Sequence, residues 1–206
     1  MSGPGPTANP APDPVPGPDS TPADRLAAAL TRLEVTFARE GADAFLVTLP
    51  GERRFTTLAW LLIGTHELLI ESFVCRRPDE NQVEVYEYLL HRNAKLRTVA
   101  YTLDGVGDIH LVGRLGLAPL FTPAERTPGE RTPGEWTPGD PAGQADPVLD
   151  EEMNTVLGVL LATSDADFNP ILERGFAGAI RREWAWRTDR GQSVRNLQAF
   201  RHLIAD

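Results

Sequence analysis

RTVAYTLDGVGDIHLVGRL, residues 97–115, holds two alternating apolar runs joined by a turn rich in Asp and Gly. Val99, Tyr101 and Leu103 alternate with Thr98, Ala100 and Thr102, while Ile109, Leu111, Gly113 and Leu115 alternate with His110, Val112 and Arg114. A period of two puts each set on one face of a strand, so the stretch reads as a β-hairpin that buries one side. Such a hairpin needs a sheet to join and helices to cover it.

The chain upstream supplies both. Thr21, Pro22 and Asp24 form a capping-box start, and Leu26, Leu30, Leu33 and Phe37 recur at helical spacing, which predicts one amphipathic helix ending at Gly41. Three strands follow, at Ala44 to Leu49, Arg53 to Ile63 and Glu67 to Cys75, separated by Pro50-Gly51-Glu52 and Gly64-Thr65-His66. Connections this short force antiparallel neighbours. Beyond Cys75 the period changes to about 3.6; Asp79 is the expected cap, with Val85, Tyr86, Leu89 and Leu90 on one stripe. The order helix, three strands, helix, two strands describes an α+β domain with a five-stranded antiparallel sheet packed with helices.

In the middle strand Leu58, Trp60 and Leu62 share a face, and Thr57, Ala59 and Leu61 lie opposite, so both faces are partly apolar. Coverage of the second face by the chain's own helices is the simpler expectation, and a surface left for a partner is the other.

Residues 1–20 are proline-rich and read as a disordered tail. Residues 116–146 contain TPAERTPGERTPGEWTPGD, pentapeptide units starting at Thr122, Thr127, Thr132 and Thr137, with Trp136 as the one large apolar side chain. Units this short bury no core, so the segment reads as a linker interrupting a single domain of residues 21–206. After Pro147 helices resume. Met153, Val156, Leu157 and Leu160 form a stripe, Asp165 to Pro170 is expected to break it, a second helix runs through Phe176, Ile180 and Trp184, and Ser193 caps a short last helix with Leu197, Phe200 and Leu203.

With 206 residues, 41% hydrophobic and a net charge of -9, the chain is expected to be globular, with neither nucleic acid nor an anionic membrane as its main partner. The first 21 residues hold no Lys or Arg and no apolar run, so no signal or anchor is expected there, and the expected location is cytoplasmic. The lone Cys75 reads as a small core residue, although Arg76 and Arg77 beside it would favour a thiolate.

No catalytic constellation emerges. His66, His91, His110 and His202 sit in four separate elements without ligand spacing, so neither a metal site nor a cofactor is expected. Gly105-Val106-Gly107 precedes a strand, not a helix, and reads as a hairpin turn held by Asp104 and Asp108. Asp165 and Asp167 read as interhelical turn residues. The residues that stand out are arginines beside aromatics: Arg76 and Arg77 before one helix, and Arg181, Arg182, Trp184 and Trp186 within two turns of another. Planar donors beside rings suit a peptide or an anionic ligand. The simpler alternative packs Trp184 in the core and pairs Arg181 or Arg182 with Glu183 or another carboxylate.

VCRRPDEN (74–81), AYTLDGVGDIHLVGRL (100–115), the DFN before Pro170, GFAGAIRREWAWR (175–187) and NLQAF (196–200) together resemble the actinobacterial branch of the YbjN-domain family. The resemblance covers Thr21 to about Leu115 and Pro147 onward. It implies a fold like that of type III secretion chaperones, and a sensory-transduction regulator with no catalytic residues to carry over. The resulting expectation is a non-enzymatic, cytoplasmic, homodimeric protein-binding module that uses an exposed face near Trp60. The alternative is a small-ligand sensor or enzyme in which Arg76, Arg77, Arg181 and Arg182 hold an anionic metabolite.

Overall fold

The computed structural model describes residues 21–116 and 147–204. The proline-rich segment 1–20 and, apart from Gly116, the repeat segment 116–146 lie outside the described residues.

Helix α1 (Pro22–Arg32) starts as its sequence dictates: the Thr21 hydroxyl accepts from the Asp24 amide and the Asp24 carboxylate accepts from the Thr21 amide. Ala23, Leu26, Ala29 and Leu30 form its buried face. The helix ends nine residues before Gly41. Glu34 adopts a left-handed φ of 55°, Glu34 N–H bonds Thr31 O and Val35 N–H bonds Leu30 O, the crossed pair of a Schellman stop. Phe37, expected on the helix, instead lies on a short strand, β1 (Thr36–Arg39), where it pairs with Val47.

That strand makes the sheet six-stranded and not five-stranded. The others are β2 (Ala44–Pro50), β3 (Thr56–Ile63), β4 (Glu67–Cys75), β5 (Val99–Leu103) and β6 (Ile109–Gly116). All pairings are antiparallel, in the order β1-β2-β3-β4-β6-β5. The β5–β6 hairpin reads as the alternation predicts, with Val99, Tyr101, Ile109, Leu111 and Gly113 buried, but Leu103 is exposed. Between β4 and β5 runs α2 (Gln82–Asn93), which buries Val85 and Leu89; Leu90, expected on that stripe, is 68% exposed.

The last large element is α3 (Pro147–Asp189), followed by a 3-10 helix (Arg195–Leu203) that buries Phe200. The expected break at Asp165 to Pro170 does not occur. Pro170 removes the amide that would serve Ala166 O, and a long contact from Arg53 Nη1, 3.5 Å, reaches that carbonyl from the β2–β3 loop. The interruption comes six residues later, at Phe176, with φ −143° and ψ 16°.

One face of the sheet, carrying Phe45, Val47, Ala59, Leu61, Leu68, Ile70 and Leu111, is buried with the apolar faces of α1, α2 and α3 in one core. Arg32 bonds Asp150 through Nε and Nη2, tying α1 to the start of α3. On the other face Leu58 is 48%, Trp60 39% and Phe73 48% exposed. Coverage by the chain's own helices, the simpler expectation, is therefore not found among the described residues.

Candidate functional site

Two places gather the residues singled out in the sequence, and the first is the junction between the Arg76–Asn81 loop and the interruption in α3. A register shift between Phe73 and Cys75 interrupts the β4–β6 ladder, buries both Val74 and Cys75, and turns the chain off the sheet. Arg77 N–H then bonds Asp108 Oδ1 at 2.7 Å, fastening the loop to the β5–β6 turn. Of the two carboxylates expected to hold that turn, Asp104 does so, accepting from the Val106 and Asp108 amides, while Asp108 is given over to the Arg77 amide. The Asp108 amide, joined by that of Val106 and opposed by desolvation, holds the Asp104 carboxyl below the usual carboxylate range.

A helix interruption strands carbonyls on one side and amides on the other. The loop supplies partners to both. Gly175 O accepts from Asp79 N–H at 3.0 Å and Glu80 N–H at 3.2 Å; Arg174 O accepts from Asn81 Nδ2 at 3.1 Å; Glu80 Oε1 accepts from Gly178 N–H at 2.5 Å. The expected cap Asp79 does not cap α2: the N-cap is Asn81, in left-handed geometry and without a side-chain cap bond. Asp79 instead takes both guanidinium arms of Arg76, whose carbon lies 4.9 Å from the Phe176 ring centre. The Arg76 hydrogen bonds, helped by the charges of Arg76 and Arg182, hold the Asp79 carboxyl below its ordinary value.

Arg76 and Arg77 line an open depression of about 420 Å³ with Asp79, Gln82, Val106 and Asp108. Arg182 is close enough to act on Asp79, so three of the four expected arginines gather around one carboxylate loop. Arg181 is bound elsewhere, donating from Nε to Leu203 O at 2.8 Å. Glu183, the expected partner of Arg181 or Arg182, pairs with Arg187 at 2.6 Å. Trp184 is half-buried, and Trp186, 44% exposed, carries the Arg190 guanidinium over its ring at 4.5 Å.

The second place is the uncovered sheet face. Register aligns Ala38, Leu46, Trp60, Glu71, Val112 and Ala100 across all six strands. One step along, Leu62, Leu69 and Arg114 align, and on the other side of Trp60 lie Leu58 on β3 and Phe73 on β4. Phe73 packs edge-on against His110, centroids 5.5 Å apart. Glu67 pairs with Arg114, and His110 Nδ1 stands 3.0 Å from Glu71 Oε1, near enough for an ion pair yet out of line for a hydrogen bond.

Sequence reasoning missed Asp167. It is 3% exposed and accepts from Tyr88 OH at 2.7 Å, Arg92 Nε at 2.7 Å and Tyr101 OH at 3.0 Å. Its only signal was the acidic residue inside an otherwise apolar helical stripe. Asp165 likewise is no turn residue: its Oδ1 accepts from the Arg53 and Arg54 amides at 2.7 and 2.9 Å and holds the β2–β3 loop on α3. Cys75 is a core residue, and burial pushes its thiol up to about 12 against the pull of Arg54 and Arg76. The thiolate that the neighbouring arginines would favour does not form near neutrality.

Among the described residues no helix is long and apolar enough to cross a membrane. The sequence profile of one family, YbjN, described as "Putative bacterial sensory transduction regulator", matches residues 22–125, which takes in α1, α2 and all six strands. An uncharacterized protein of Mycobacterium leprae is 44% identical over 180 residues, 87% of this chain and 83% of the relative. Uncharacterized proteins of Mycobacterium bovis and Mycobacterium tuberculosis are each 45% identical over 160 residues, 78% of this chain and 72% of theirs. A family match over half its length, and relatives aligned over most of it, show that the chain belongs to the YbjN family, a family described as regulatory and not as enzymatic.

Proposed function

We propose that this chain is a non-enzymatic regulatory module that acts in the cytoplasm by holding a protein partner through the sheet face that the described helices leave uncovered. One observation carries the reading: the described helices all pack on one side, and the opposite side presents Leu58, Trp60 and Phe73 at 39 to 48% exposure. An antiparallel sheet with a solvated face normally alternates apolar inward and polar outward. Here the outward set is apolar at Leu46, Leu58, Trp60, Leu62, Leu69 and Val112, bordered by Glu67, Glu71 and Arg114, and contiguous exposed apolar surface marks association sites. One helical layer on one sheet face supports the chaperone-like shape that the family resemblance implies, with residues 21–206 as one domain interrupted by the repeat.

The test is zero-length crosslinking in a native host expressing the chain, Trp60→Glu and the control Val83→Glu, which alters an exposed residue of α2. An adduct of defined mass that forms with the chain and the control but not with Trp60→Glu is expected. Adducts independent of Trp60 would overturn the reading.

A second reading rests on the depression at Arg76 and Arg77: an anionic metabolite bound there, with Arg182 nearby and Arg76 released from Asp79. Stabilisation by phosphate, nucleotides or acyl-CoA that is lost in Arg77→Ala would support it, and no shift across that panel would remove it.

A further inference from the structure

We propose that the occupant of the uncovered sheet face is a second copy of this chain, the two sheets packing face to face about a two-fold axis with Trp60 near its centre. The inference rests on the docking reading above and names the partner.

Three observations favour a second copy. The first is closure of the sheet's longer edge. Tyr101, on edge strand β5, turns its amide and carbonyl outward, and the Asn93 side chain takes both, Oδ1 from Tyr101 N–H at 2.7 Å and Nδ2 to Tyr101 O at 3.1 Å. An incoming strand finds those groups occupied, while β1, at the other edge, is only four residues long. Edge-to-edge extension is thereby blunted, which favours the face over the edge as the place where a second sheet meets this one.

The second is charge. The chain carries a net charge of -9, so two copies repel wherever carboxylates cluster. This face holds no such cluster: Glu67 is answered by Arg114, and Glu71 stands beside the His110 ring on the neighbouring strand. A face with two carboxylates, one of them paired with Arg114, meets its own copy without a long like-charge run.

The third is shape and area. In the row Ala38, Leu46, Trp60, Glu71, Val112, Ala100 the large side chains stand in the middle and alanines lie at both ends. About an axis beside Trp60 the large side chains of the two copies meet at the centre and the alanines lie at the rim, an apolar centre with a lower border. Six strands about 4.8 Å apart and three side-chain rows about 7 Å apart give roughly 500 Å² per copy and about 1,000 Å² in all, the lower limit for a specific interface.

Sedimentation equilibrium of the full chain from about 1 to about 100 µM tests this. Expected is a mass approaching twice 22.5 kDa, with association weakened at least about 30-fold in Trp60→Glu and in Leu58→Lys, and unchanged in Val83→Glu. Circular dichroism selects the variants that keep the fold. A chain that stays monomeric at the highest concentration, or a dimer that both face variants leave intact, overturns the proposal. The two readings fail separately. A Trp60-dependent adduct in cells that contains another protein, beside a monomeric purified chain, sinks the second copy and keeps the docking face; absence of any Trp60-dependent adduct sinks the docking face itself.

Discussion

The Glu80 carboxylate caps the Gly178 amide at 2.5 Å, across 98 residues of sequence. With Asp79 N–H and Glu80 N–H on Gly175 O and Asn81 on Arg174 O, this contact makes the RRPDEN loop the splint of an interrupted helix. The motifs at 76–81 and 175–178 are therefore two halves of one structure.

Replacing Glu80 by Ala removes the acceptor at Gly178 and costs about 1 to 2 kcal/mol, the range of a lost helix cap. Urea denaturation measures the loss, and amide exchange should rise most in 177–189, beyond the interruption. Protection unchanged there would contradict the splint.

Glycine 175 admits the loop. A Cβ at that position would lie 2.9 Å from Pro78 Cβ and 3.3 Å from Val85 Cγ2, so Gly175→Ala should destabilise by about 1 to 3 kcal/mol through overcrowding. Gly158, in the same helix with nothing within 4 Å of such a Cβ, should respond oppositely, Gly158→Ala gaining about 0.4 to 1 kcal/mol. Paired thermal melts decide, and a shift of the same sign in both variants would argue against the close approach at Pro78.

Asp167 joins three elements through Tyr88 and Arg92 of α2 and Tyr101 of β5. Its removal leaves three donors without their acceptor, so Asp167→Ala should cost about 3 to 5 kcal/mol, whereas Tyr101→Phe, which removes one bond to a charged group, should cost about 1.5 to 3 kcal/mol. Denaturant midpoints with unchanged slopes would give both values. A loss below about 1 kcal/mol for Asp167→Ala would show that water replaces the network.

The same burial sets an alkaline limit. Burial raises the Cys75 thiol from 9.0 to about 12 and the Tyr88 phenol from 10.0 to about 12, and lifts Tyr101 further still with help from the Asp167 charge. In that range the folded chain retains protons that the unfolded chain releases, so the contribution of these three groups is constant below about pH 9 and falls as pH rises above it. Urea midpoints at about pH 8, 9.5 and 11 should decline in that order, and Tyr101→Phe should flatten the upper part. Equal midpoints would contradict the buried neutral state of these groups.

Much of the fold was legible because its signals are local. The Thr21 box, the β3 and β4 alternation and the 97–115 hairpin each declare themselves within a few residues. β1 was lost because Glu34, and not a glycine, takes the left-handed stop, and because Phe37 happens to continue the helical spacing. Pro170 misled for the converse reason: its cost to the helix is local, while the Arg53 guanidinium that reaches the stranded carbonyl comes from 113 residues away. The arginines at 76, 77 and 182 were recognisable as a group, yet the carboxylates that hold them, Asp79 and Asp108, looked like cap and turn residues. Trp60 was visible as the centre of a second apolar face, but which side the helices choose depends on long-range packing that no periodicity encodes.

The measurement that tests the account most directly is small-angle X-ray scattering of the full chain and of Trp60→Glu across a concentration series. Expected is a compact pair with the sheets inward at about 10 Å separation and the helical layers outermost, reverting to one copy in the variant. Scattering from a single copy at every concentration, or from an elongated pair joined at sheet edges and indifferent to Trp60, would contradict it.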